Sequence, residues 1–136
     1  MKTLLALLFL GAVLSAGAQT VSPITGEKLS VVIRGVALKH ATLPQVAKFM
    51  EKQSRKLDPS HQGLRFVVLN PKDFQLSTPQ PNPRLDVAFN AITLNEMTHY
   101  AAYIFGRKIW IINNTILYVP LAADPGKLPA KYTRQR

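Results

Sequence analysis

The 136-residue chain contains no cysteine. That excludes disulfide-stapled scaffolds, thiolate metal sites and cysteine nucleophiles. Acidic residues are scarce too, with seven Asp and Glu against seventeen Lys and Arg and a formal net charge of +10. They are scattered singly, so no carboxylate pair of the kind glycoside hydrolysis uses is apparent. None of the three histidines, His40, His61 and His99, forms an i, i+4 pair with a second ligand, and no acidic cluster lies nearby, which argues against a metal site. Neither a glycine-rich phosphate loop nor a Gly-x-Ser-x-Gly elbow occurs. Asp58, Ser60 and His61 are hydrolase residue types, but they fall in a Pro-bounded turn where ordinary loop polarity accounts for them. No enzymatic activity, cofactor or metal is expected.

Long apolar runs are also missing, except at the start. Lys2 precedes the apolar stretch Leu4 to Leu14, and Ala16-Gly17-Ala18 supplies a small-x-small cleavage signal. This is the layout of a secretory signal peptide, residues 1–18. A spanning helix needs roughly 20 apolar residues, so the run predicts export to the periplasm or medium with no transmembrane segment after cleavage. Cleavage after Ala18 removes one cation, Lys2, and leaves a surplus of nine positive charges. Such a surface favours anionic partners, whether acidic proteins, lipopolysaccharide or cell-wall polymers, and export makes nucleic acid a poor fit.

What the chain does have is an internal repeat. Val36-Ala37-Leu38-Lys39-His40-Ala41-Thr42-Leu43-Pro44-Gln45-Val46 matches Val87-Ala88-Phe89-Asn90-Ala91-Ile92-Thr93-Leu94-Asn95-Glu96-Met97 at an offset of 51 residues, without a gap. Phe49 and Tyr100 keep the same register. In each copy an alternating strand leads to a Thr, followed three residues on by Gln45 or Glu96. This is the capping box, in which hydroxyl and carboxamide or carboxylate each satisfy an orphan backbone N–H. Pro44 falls in the first turn, where its missing N–H costs little. Helical stripes follow: Leu43, Val46, Ala47 and Met50 in one copy, and Leu94, Met97, Ala101, Ile104 and Phe105 in the other. Gly106 ends the second helix.

Leu64 to Leu69 reads as a buried strand, and Lys108–Ile112 and Thr115–Leu121 as a hairpin turning at Asn113-Asn114. The expected fold is α+β: a duplicated unit, β-α-β then β-α-β-β, with two helices packed against small sheets over residues 30–121. Residues 19–29 form a leader, 70–83 a proline-rich loop, and 122–136 a basic flexible tail.

Thr42-Leu43, Gly63 to Leu69, Thr93-Leu94 and Gly106 to Val119 together resemble the short N-terminal (STN-like) domain of secretins and TonB-dependent receptors. The C-terminal domain of FecR-type anti-sigma regulators is similar. The resemblance covers roughly residues 31–120. It implies two helices between small sheets, periplasmic protein binding and no catalytic residues. No ring, barrel or regulator region follows in the chain, so a partner in trans is expected. Loop 70–83 is longer than the family needs.

The hairpin is apolar on both faces, where a half-solvated sheet alternates with polar residues. With Ile109, Ile111, Leu117 and Val119 toward the helices, Trp110, Ile112, Ile116 and Tyr118 form the outer face. That face is either a candidate partner-docking surface or is covered by the leader or the long loop. The expected function is an exported periplasmic protein-protein interaction module, accessory to an envelope transport, secretion or signalling assembly. The alternative is an envelope-polymer or anionic-surface binder for peptidoglycan or lipopolysaccharide, with Lys127, Lys131, Arg134 and Arg136 as candidate contacts. If the outer face docks a partner, Trp110→Ser abolishes binding and leaves the fold intact; loss of folding signals a covered face.

Overall fold

The structure, a computed structural model, describes residues 23–77 and 83–133. The expected signal peptide and the tail cations Arg134 and Arg136 lie outside the described residues. Each copy of the repeat folds as strand then helix: β1 (Val32–Ala41) with α2 (Leu43–Leu57), and β3 (Leu85–Thr93) with α3 (Leu94–Ile104). Both capping boxes form. Thr42 accepts from the Gln45 N–H at 3.3 Å while Gln45 Oε1 accepts from the Thr42 N–H at 2.9 Å. Thr93 and Glu96 do the same at 3.0 Å each way. Each box stops a strand and starts a helix within one residue, which fixes the angle between them.

β1 and β3 pair antiparallel, and the register reflects the duplication. Val36 lies opposite Phe89, Leu38 opposite Val87, and Ala37 opposite Ala88. Because Val36 and Leu38 occupy the positions of Val87 and Phe89 in the other copy, the two copies are related by a local two-fold axis through the Ala37–Ala88 pair. The pairing shifts register between Leu38 and Ala41, where His40 has φ 51 and its N–H donates to Asp86 at 2.8 Å.

The second sheet has the order β2-β5-β4, built from β2 (Arg65–Val68), β4 (Arg107–Ile112) and β5 (Thr115–Pro120). β5 runs parallel to β2 and antiparallel to β4. The chain is thus α+β, with α2 and α3 packed against small sheets. The main core joins Ile33 and Val36 of the first sheet to Val46, Met50, Leu94, Met97 and Ala101 of the helices. Phe66, Ile116 and Tyr118 complete it from the second sheet. Tyr118 is fully buried, its hydroxyl donating to the Thr98 carbonyl at 2.9 Å, and burial pushes that phenol well above its ordinary pKa.

Leader residues 23–29 and tail residues 122–133 are ordered parts of the fold. Leader residues Pro23–Leu29 form helix α1, which buries Leu29 and Thr25. Lys28 is drawn in with it, 3.6 Å from Asp58 and donating to the Gly63 carbonyl at 3.3 Å. Asp58 organises the turn that follows α2. It accepts from the Gly63 N–H at 2.8 Å and the Ser60 hydroxyl at 2.7 Å. These donors, Gly63 first, hold its carboxyl well below the usual carboxylate range, with Lys28 adding to the effect. Gly63 sits at φ +64, and a Cβ there would stand 2.6 Å from the Arg55 backbone nitrogen.

Two outcomes follow. Gly63→Ala should cost about 2–4 kcal/mol in urea unfolding, because backbone strain and a backbone clash act together. Asp58 and Glu96 both have depressed pKa values in the fold, Glu96 through hydrogen bonds from Thr93. Their stabilisation is therefore complete above the ordinary values of 3.8 and 4.5 and is lost as the pH falls below them. Acid unfolding profiles should flatten in Asp58→Asn and, less, in Glu96→Gln, which keeps the capping acceptor that Gln45 already provides.

Candidate functional site

The hairpin face comes first, since the sequence singles it out. Asn113 and Asn114 make a two-residue turn, so Ile112 pairs with Thr115, Ile111 with Ile116, Trp110 with Leu117 and Ile109 with Tyr118. Directly paired residues share a face. Ile109 and Ile111 therefore stand with Ile116 and Tyr118 toward the helices, while Trp110 and Ile112 stand with Leu117 and Val119 on the other side. The expected outer set of Trp110, Ile112, Ile116 and Tyr118 is split between the two faces. Ile116 and Tyr118 are fully buried.

The second face is covered. Phe74 from a 3-10 turn at Pro71–Phe74 meets Trp110 edge to face, with centroids 5.7 Å apart. Behind it, Ala123, Leu128 and Tyr132 of the tail pack on Leu117, Val119 and Ile112. Helix α4 (Ala130–Thr133) carries Tyr132 into this second cluster, and Lys108 fastens the chain by donating to the Ala123 carbonyl at 2.9 Å. Residues 122–133 are a packed strap, with Lys127 and Lys131 exposed on its outer side. Little periodicity marks these residues, which is why the sequence reads as a free tail.

What stays open is an edge. β2 ends the second sheet. Its Arg65 and Leu69 amides donate to the Asn114 and Tyr118 carbonyls of the β5 side, each at 2.9 Å. A parallel ladder engages alternate residues, so the backbone groups of Phe66 and Val68 turn away from β5. The Phe66 N–H is met by Glu51 Oε1 of α2 at 3.0 Å. The Val68 N–H and C=O face a groove of about 500 Å³ between β2 and α2. Pro44, Ala47, Lys48 and Glu51 line its helix side, and Phe66 and Val68 its strand side.

The two-fold relation makes this groove conspicuous. Asn95 and His99, the counterparts of Pro44 and Lys48, lie on the flank of α3 beside Ile111 of β4. There α1 approaches with Gly26 and Leu29, and Ser30 follows just past its end. Thus the second copy has a helix of the chain's own against its flank, and among the described residues the first copy does not. The sequence reading missed this site because an open edge depends on sheet order, which no local pattern encodes.

Among the described residues no group of three or more His, Asp or Glu is placed to hold a metal ion. No helix among them is long and apolar enough to cross a membrane. Ser60 and Asp58 bond to each other and to the Gly63 turn, and His61 is exposed beside them. No family model, curated protein or solved structure matches the chain.

Trp110→Ser should therefore destabilise the fold by about 2 kcal/mol, a half-buried fraction of the usual cost of deleting a core aromatic. Chemical denaturation with Tyr132→Ala as a companion checks it, since both variants weaken the same cluster.

Proposed function

We propose that this chain is an exported protein-interaction module of the bacterial envelope, acting by binding and not by catalysis. The observation that carries the reading is the open β2 edge beside the α2 groove. An extended segment of a partner adds there as a fourth strand, its backbone meeting the Val68 N–H and C=O and its alternate side chains entering the groove. Peptide recognition between an edge strand and a flanking helix is an established use of this geometry. Glu51 fits the same account: by taking the Phe66 N–H it leaves Val68 as the principal free pairing position, which limits the edge to short partners.

The likeness to the STN-like domain of secretins and TonB-dependent receptors supports a periplasmic setting. The signal-peptide pattern of residues 1–18 supports it independently. Binding to an anionic envelope polymer is the competing reading. It draws on the net charge of +10 and on exposed Lys127 and Lys131, and it requires no particular strand edge.

Val68→Pro separates the two. Proline at an edge position whose N–H faces away from the sheet is tolerated by the fold, yet it removes the donor a docking strand needs. In selections from a library of extended peptides displayed on phage, the native protein should enrich binders that Val68→Pro fails to retain and that Lys127→Ala/Lys131→Ala retains. Equal binding by native and Val68→Pro proteins would overturn strand addition at this edge.

A further inference from the structure

Helix α1 sits where two strands begin. β2 and β5 run parallel, with Arg65 opposite Thr115 at their first residues. The turn that feeds β2 contains Asp58 and Gly63, and the turn that feeds β5 is Asn113-Asn114. α1 reaches both. Its Thr25 hydroxyl shares one proton between the Asn113 carbonyl at 3.0 Å and Asn114 Oδ1 at 2.8 Å. Three residues on, Lys28 donates to the Gly63 carbonyl at 3.3 Å and stands 3.6 Å from Asp58 Oδ2. The Asn114 carbonyl in turn accepts the Arg65 N–H at 2.9 Å, the first rung between the two strands. α1 is thus a cross-brace over the entry to the β2–β5 ladder.

β2 depends on such a brace. It is four residues long and, among the described strands, pairs with β5 alone. Parallel pairing is also slightly weaker per residue than antiparallel pairing. A partner strand gains most from an edge already held in register, since a frayed edge has to be ordered at the moment of binding. The brace itself is lightly held. α1 has seven residues, too few for a helix to persist on its own. Of its described side chains only Thr25, Lys28 and Leu29 are buried, and two of these are polar. Hollows of about 440 and 300 Å³ border it.

We infer that α1 controls the β2 edge. Docked through Thr25 and Lys28, it holds the start of β2 in register for a partner strand; released, it leaves β2 slack. This rests on the strand-addition reading above and adds to it the regulation of that site. Neither Thr25 nor Lys28 lines the groove, so both are positioning residues that act through the two turns. The coupling is reciprocal: a strand bound at Val68 favours docked α1 by the same factor that docked α1 favours the strand.

The test compares the native protein with Thr25→Val/Lys28→Met and with each single change, so that a fold too weak for both still reads the brace. Tyr132→Ala serves as a control that weakens the fold from the strap side. Circular dichroism melts confirm which variants fold. Amide exchange read by NMR comes first, with Met50 in the middle of α2 reporting whole-protein opening. Relative to Met50, the double variant should speed exchange at Arg65 and Val67 about tenfold, the size of two lost hydrogen bonds. Tyr132→Ala should keep the native ratio. A peptide from the phage selection above that Val68→Pro fails to retain is then labelled with fluorescein and titrated by anisotropy. The double variant should bind it about tenfold more weakly than the native protein, and Tyr132→Ala should bind it equally well. On the native protein the same peptide should slow exchange at Ser30, whose N–H donates to the Gly26 carbonyl of α1 at 3.1 Å.

If Arg65 and Val67 keep their native ratio in the double variant, or if that variant binds the peptide as the native protein does, α1 does not control the edge. The inference then falls while strand addition stands. An unchanged Ser30 rate on peptide binding would overturn it too, because a helix with a purely structural role does not respond to the partner. If Val68→Pro binds as the native protein does, or if the selection enriches no peptide, strand addition falls and this inference falls with it.

Discussion

The antiparallel pairing of β1 with β3, centred on Ala37 and Ala88, is the constraint from which the remaining geometry follows. Each strand passes into its helix through a capping box within one residue, so fixing the strand register fixes the positions of α2 and α3 as well. The helices then bury one stripe each between the two sheets, with Val46, Met50, Leu94 and Met97 at the centre of the packing. With no cysteine in the chain, this apolar sandwich has no covalent reinforcement, and cohesion rests on burial and on satisfied polar groups.

The duplication is complete in the strand–helix units and breaks down around them, and the breaks are where the distinctive features lie. β5 inserts between β2 and β4, so the second sheet cannot obey the two-fold axis. α1 lies beside the second copy, tied down by the buried Lys28–Asp58 contact. The strap of residues 122–133 closes the far face of the second sheet over Trp110 and Leu117. After these additions, the first copy's flank keeps a strand edge that no described strand pairs with, beside an apolar groove floor. Residual asymmetry of this kind leaves the two flanks of a duplicated scaffold unlike each other.

Much of this was legible in the residues because it is written locally. The Thr42–Gln45 and Thr93–Glu96 boxes, the helical stripes and the Asn113-Asn114 turn all reflect interactions within a few positions, and the order of strands and helices follows from them. Which hairpin residues face the helices turns on one step of parity. A two-residue turn sets Ile112 against Thr115, so odd positions of β4 face even positions of β5. The strap carries no local signal because Ala123, Leu128 and Tyr132 keep no regular spacing; only the far face of the second sheet recruits them. The open edge was invisible for the same reason, since sheet order is a long-range property.

The most direct measurement is amide hydrogen exchange at Val67, Val68 and Leu69 in the free protein, read by NMR. An open edge predicts rapid exchange at Val68 between two protected neighbours whose N–H groups serve the β5 ladder. Slow exchange at Val68, matching Val67 and Leu69, would mean that the edge is already satisfied, and it would contradict the account of the groove as a docking site.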